Sequence, residues 1–303
     1  MKRDFLQITD FSRDELFALF ALCAELKAKT KARQQHHLLK GQTLAMLFQK
    51  PSTRTRVSFE VGMYQLGGHA LYLSPAEIGL GSRESVADVA RVLSRFNDGI
   101  MARVFGHAIV EELAETASVP VINGLSDLTH PCQVLGDLFT ACEHKGRYEN
   151  FKVAYIGDGN NVTNSWMNLA ALLHLDLRIA CPPGYEPNMN LLEKAKAAKK
   201  SDISIYHDPF AAIRDADIVY TDVWASMGQE DEAAARKKIF APYQVNKKLL
   251  TAAANDCIVE HCLPAHRGDE ITDEVIDGAH SVVFDQAENR LHIQKAILVT
   301  LMR

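Results

Sequence analysis

Apolar residues along this chain fall into two kinds of run. One kind is short and unbroken: Leu44–Phe48, Ala70–Leu73, Gly99–Val104, Val119–Asn123, Val153–Ile156, Leu177–Ala180, Ile203–Tyr206, Ile218–Tyr220, Ile258–His261 and Val282–Phe284. Runs of this length bounded by turn residues predict buried strands. The other kind is spaced at helical intervals: Leu16, Phe17, Leu19, Phe20 and Leu22; Phe59, Met63 and Leu66; Val86, Val89, Val92 and Leu93. Gly67-Gly68 stops the second of these helices. A last helix is predicted over Glu288–Arg303. Strand and helix alternate through most of the chain, the pattern of parallel sheets covered by crossover helices. The fold class is therefore α/β, with two doubly wound parallel-sheet domains. The polar stretch Lys145-Gly146-Arg147-Tyr148-Glu149-Asn150 reads as the junction between them.

Composition narrows the functional classes. The 303 residues are enough for two domains of ordinary size, and 47% apolar with 23% charged residues is normal for a soluble globular chain. A net charge of -5 argues against broad nucleic-acid contact, so a bound anion needs local basic groups. No membrane-spanning run and no apolar leader stretch is visible, and the six cysteines lack framework spacing, which points to reduced thiols in the cytoplasm.

Candidate chemistry clusters at strand ends. Ser52, Thr53, Arg54 and Thr55 lie at the mouth of a helix, where free backbone N–H groups and the helix dipole favour an anion. Arg54 and Arg56 cannot face the same spot on that helix, so Arg54 is assigned to the ligand and Arg56 to a partner elsewhere. Arg103 closes a strand, while His130 and Gln133 flank the start of a helix with Pro131 at its first position. Gly157-Asp158-Gly159 invites a nicotinamide-cofactor reading, but Val162 stands where a third glycine belongs and no acid ends the next strand. Asn160 and Asn161 instead offer amides to a polar substrate. Asp222 ends a strand and is followed by Ser226-Met227-Gly228. For Glu260-His261-Cys262-Leu263-Pro264-Ala265-His266, three readings stand: a metal site, a thiol nucleophile, or a loop that closes over substrate.

Ser52-Thr53-Arg54-Thr55-Arg56 followed by Val57-Ser58-Phe59-Glu60 resembles the carbamoyl phosphate loop of the aspartate and ornithine carbamoyltransferases. Asp222 with Ser226-Met227-Gly228, and His261-Cys262-Leu263-Pro264, resemble the ornithine-specific signatures of that family, and Ala287-Glu288-Asn289-Arg290 its C-terminal arginine. The resemblance implies a carbamoyl phosphate domain over residues 1–145 plus 287–303 and an ornithine domain over 146–286, with the active site in the cleft between them. It implies carbamoyl transfer from carbamoyl phosphate to the δ-amine of L-ornithine, giving citrulline and phosphate, in arginine biosynthesis or degradation. Ser52, Thr53, Arg54, Thr55, Arg103, His130, Gln133, Cys262, Leu263 and Arg290 would hold carbamoyl phosphate. Asn161, Asp222, Ser226 and Met227 would hold ornithine, with Arg103, His130, Asp222 and Cys262 as the catalytic set. No metal or organic cofactor is implied. A homotrimer or an assembly of trimers is implied, and Arg83 stands in the loop from which relatives lend a lysine across the subunit boundary. Competing readings are a carbamoyltransferase for N-acetylornithine or putrescine, an NAD-dependent oxidoreductase and a non-catalytic amino-acid binder.

Overall fold

The computed structural model describes residues 2–81, 83–225 and 230–303. The chain divides into two compact units, Met1–Gly136 with Glu288–Arg303 and Asp137–Ala287. Unit 1 holds strands β1 (Thr43–Phe48), β2 (His69–Leu73), β3 (Gly99–Arg103) and β4 (Val121–Leu125), all parallel, in the order β2-β1-β3-β4. Unit 2 holds β5 (Phe151–Ile156), β6 (Leu175–Ala180), β7 (Asp202–Tyr206), β8 (Ile218–Thr221) and β9 (Ile258–His261), also parallel, in the order β7-β6-β5-β8-β9. In each sheet the winding reverses once, between β1 and β3 and between β5 and β8. Loops leaving the carboxyl ends of the strands diverge at such a reversal and leave room for a ligand.

In unit 1, Ala45, Leu47, Ile100 and Ala102 pack against Val86, Val89 and Ala90 of helix Val86–Phe96 and against Val110 and Leu113 of helix His107–Thr116. The sequence pattern does not announce the second of these helices. Val92 does not point inward as expected: it is 45% exposed. At 3.6 residues per turn it falls about 110° round the helix from the buried side that Val86, Val89 and Ala90 define. Helices Thr53–Gln65 and Val283–Met302 meet at Gly62, where an added Cβ would lie 3.3 Å from Lys295 Cγ. A larger residue at 62 would push the two apart.

Residues 282–284 are not a strand. Helix Val283–Met302 begins there, five residues before the expected start, and the Val282 N–H donates to the Val259 carbonyl at 3.0 Å. Val282 and Val283 are buried, whereas Phe284 is 65% exposed, so the triplet does not face one way throughout. Unit 2 has its own core, in which Ala154, Ile156, Val219 and Val259 pack with Val245, Leu249, Ile271 and Ile276.

Candidate active site

The β1 loop leads into helix Thr53–Gln65, whose first turn is capped by Ser52: its Oγ accepts the Thr55 N–H at 3.5 Å. Thr55 is fully buried, and its hydroxyl is a focus of donors. Ser52 Oγ lies at 3.2 Å, Arg290 Nη2 at 3.1 Å and Arg103 Nη1 at 3.4 Å. Arg103 ends β3 opposite Phe48 of β1, so the sheet register itself delivers it to this loop. Two guanidinium groups thus converge on one neutral oxygen, and an anion set among them would relieve their mutual repulsion. Arg54 is half-buried beside them, and among the described residues its guanidinium makes no hydrogen bond or ion pair. Arg56 is turned away, with Nε donating to Glu60 at 3.0 Å and its guanidinium 4.0 Å over the Tyr72 ring. His130 is buried. Desolvation, then the Arg290 and Arg103 charges, hold its pKa well below the ordinary imidazole value, so the ring is neutral at physiological pH.

In unit 2 the β5 and β8 loops meet around Asp222. Its Oδ2 accepts from Asn160 Nδ2 at 2.7 Å; its Oδ1 accepts from the Cys262 thiol and from the Val223 N–H, both at 2.8 Å. Asn160 is fixed in turn: its Oδ1 caps helix Asn161–Ala170 and takes the Tyr155 hydroxyl at 3.1 Å. Asn160's amide is therefore spent inside the protein, and Asn161 is half-buried at the first helical position. The glycines of this loop serve packing. A Cβ on Gly159 would lie 2.3 Å from Pro187 N, and Gly157 has φ +142°. Neither forms the three-glycine cradle that a dinucleotide needs.

The loop after β9 is held by His261. Its Nδ1 accepts the Leu263 N–H at 2.8 Å, which leaves the Nε2 hydrogen for buried Glu270 at 3.2 Å; Glu270 also takes the His266 N–H. Leu263 sits at φ +54°, a left-handed conformation uncommon for a branched residue, and is followed by a cis peptide to Pro264. Asp222, His261 and Cys262 place three metal-ligand atoms close together. The set does not suit a cation, because both His261 ring nitrogens already make hydrogen bonds, and His266 is not part of the group.

The carbamoyl-P binding domain of the aspartate/ornithine carbamoyltransferases matches residues 3–143 as a sequence family, and their Asp/Orn binding domain matches 149–301. The chain belongs to the aspartate/ornithine carbamoyltransferase family. It is 57% identical to an ornithine carbamoyltransferase of Syntrophotalea carbinolica and 55% identical to one of Syntrophus aciditrophicus, covering all of both chains in each case. The solved structure of an ornithine carbamoyltransferase from Pyrococcus furiosus superposes with a TM-score of 0.95 at 53% identity, over 99% of this chain and 97% of that one.

In this carbamoyltransferase chain, unit 1 gathers Ser52, Thr55, Arg103, His130 and Arg290 around one point, and Arg54 immediately precedes Thr55 in the chain. Gln133 is buried on the first turn of helix Pro131–Lys145, three residues past His130. Unit 2 gathers Asp222 and Cys262 in direct contact, with Leu263 next in the same loop. Ser226 and Met227 lie outside the described residues. Sequence reasoning missed the groups that set these side chains in place: Asn160 as the clamp on Asp222, Glu270 as the brace on His261, and Arg236. The short spacing from His261 to Glu270 was a usable signal for the second. Arg236 gave none, since it stands in an Ala- and Lys-rich stretch that reads as a solvated helix.

Proposed function

We propose that the chain transfers the carbamoyl group of carbamoyl phosphate to the δ-amine of L-ornithine, yielding L-citrulline and phosphate. The observation that carries this reading is the pairing of a basic focus at Thr55, within the carbamoyl-P domain match, with an acidic point at Asp222, within the Asp/Orn domain match. Phosphate rests on Ser52, Thr53, Arg54 and Thr55 at the helix mouth, with Arg290 as a further cation. Arg103, neutral His130 and the Thr55 hydroxyl polarise the carbamoyl oxygen as negative charge builds there. Gln133 and the Leu263 carbonyl fix the carbamoyl NH2. Asp222, Asn161, Ser226 and Met227 hold the α-amino acid end, and Cys262 steadies Asp222.

The neutral δ-amine attacks the carbamoyl carbon. A C–N bond forms, the C–O bond to phosphate breaks, and the amine proton leaves with the phosphate. The leaving group is already activated, so positioning and charge stabilisation are what the protein supplies. Aspartate would set a second carboxylate against Asp222, a repulsive contact where water is scarce. We further propose a homotrimer, supported by the exposed apolar side chains Val57, Tyr64 and Leu71 on helix Thr53–Gln65 and edge strand β2. A cytoplasmic setting is supported by six free cysteines and by the lack, among the described residues, of a helix long and apolar enough to cross a membrane.

The test is citrulline formation from carbamoyl phosphate with ornithine, N-acetylornithine, putrescine or aspartate as acceptor. Ornithine should be used with much the highest kcat/KM. A preference for any of the others would overturn the reading, and sedimentation showing mainly monomer at micromolar concentration would overturn the trimer.

A further inference from the structure

Arg236 lies on helix Ala233–Phe240, followed by two exposed lysines, yet it is itself only 7% exposed. Its Nη1 donates to Asp158 Oδ2 at 3.0 Å and to the Trp224 carbonyl at 3.0 Å, and its Nε donates to Glu232 at 2.9 Å. The guanidinium is 5.0 Å over the Tyr185 ring. Both ends of this grip matter. Trp224 is two residues past Asp222, and Asp158 is two residues before Asn160, whose amide holds Asp222 at 2.7 Å. One buried guanidinium therefore fastens the β5 loop to the β8 loop, which carry Asn161 and Asp222. Burial pushes the Asp158 carboxyl up to about 6, and the Arg236 charge acts against that rise.

We propose that Arg236, through Asp158 and the Trp224 carbonyl, is a positioning residue for the amino-acid substrate: it sets the spacing between Asp222 and Asn161 and keeps a second negative charge beside the α-ammonium. This rests on the reading of ornithine as the acceptor. A guanidinium suits the task because its planar fork serves a carboxylate and a carbonyl at once, which an ammonium does less well. The residue touches no reacting atom, so it should act on ornithine capture and leave the chemical step and the carbamoyl phosphate site alone.

The experiment is steady-state kinetics on the full chain with Arg236→Met, Arg236→Lys and Asp158→Ala, alongside carbamoyl phosphate affinity by calorimetry. Arg236→Met should raise the ornithine KM at least about tenfold, as expected when charge-assisted hydrogen bonds are lost. Its kcat at saturating ornithine and its carbamoyl phosphate Kd should stay within about threefold of wild type, as for sites that share no partner with Arg236. Arg236→Lys should recover part of the KM. Asp158→Ala should raise it too, and the double variant should be no worse than the poorer single one. An unchanged KM in Arg236→Met, or a fall in kcat with KM unmoved, overturns the proposal. If Arg236→Met does not fold, an unchanged KM in Asp158→Ala and Arg236→Lys overturns it as well. A wild-type enzyme with no ornithine-dependent citrulline would overturn the functional reading itself, a different outcome.

Discussion

Thr55 and Asp222 both lie beside the reversal of a sheet, Thr55 in the helix after β1 and Asp222 just past the end of β8. Each follows a strand beside the point where the winding reverses, β1 next to β3 in unit 1 and β8 next to β5 in unit 2. Around Thr55 a neutral hydroxyl is ringed by guanidinium donors from Arg103 and Arg290. Around Asp222 a carboxylate is ringed by neutral donors from Asn160, Cys262 and Val223. Two sheets of like topology thus carry a basic focus in one unit and an acidic one in the other. Topology chooses the place, and a handful of side chains chooses the charge.

The contrast breaks most completely at Arg54. Arg54→Ala should abolish measurable turnover and weaken carbamoyl phosphate binding by a hundredfold or more, since two charge-assisted hydrogen bonds at roughly 1.5–3 kcal/mol each are lost. Calorimetry decides: wild-type affinity in this variant would remove Arg54 from the anion site. Next comes Asp222→Asn. The amide keeps the shape and one acceptor but loses the charge that pairs with an α-ammonium. Ornithine KM should rise by about ten- to a hundredfold, the loss typical of one buried charge pair, with carbamoyl phosphate affinity intact. Loss of carbamoyl phosphate binding instead would dissolve the division of labour between the units. Thr55→Val should be milder. It deletes the oxygen shared by Arg103 and Arg290 but neither cation, so carbamoyl phosphate should weaken by about tenfold, one hydrogen bond's worth, and ornithine KM should hold. An ornithine-specific defect in this variant would count against the Thr55 assignment.

The two units also differ in how much of them the sequence revealed. Unbroken apolar runs mark most of the strands, because a parallel strand covered on both faces has little room for polar residues. The run 282–284 misled because three apolar residues carry no period, and helix His107–Thr116 was not announced because its inward-facing set is only Val110, Leu113 and Ala114. Part of the basic cluster, Ser52 and Thr55, was legible in one contiguous stretch because a helix mouth concentrates its donors locally, while Arg103, His130 and Arg290 come from separate elements. The acidic site was legible only at Asp222 and Cys262. Its supports come from separate strands and helices: Asn160 from the β5 loop, Glu270 from beyond β9, Arg236 from a helix that looks solvated. Such contacts depend on which loops the topology brings together, and residue spacing along the chain does not encode that. Ser226 and Met227, outside the described residues, remain expectations.

The response of stability to acid sets the units most directly against each other. In unit 1, His292 is 1% exposed, and burial lowers its pKa to about 4, with Glu288 opposing and Lys295 assisting. Its folded pKa lies below the unfolded value near 6.5, so its contribution to stability is full above about pH 6.5 and is lost as the pH falls through about 4. In unit 2, Asp158 is raised from 3.8 to about 6. Its folded pKa lies above the unfolded one, so its contribution is full below about pH 4 and is lost as the pH rises through about 6. Acid therefore weakens one unit at His292 while it relieves the other at Asp158, each by no more than about 1.4 kcal/mol per pH unit within its window. Urea midpoints at pH 7 and pH 4.5, followed by circular dichroism, separate the two. His292→Gln should lose less stability on acidification than wild type, because a titrating group has gone. Asp158→Asn should lose more, because the compensating gain has gone. If both variants follow the wild-type change, or if the two shifts come out with the same sign, the opposed titration of His292 and Asp158 is wrong.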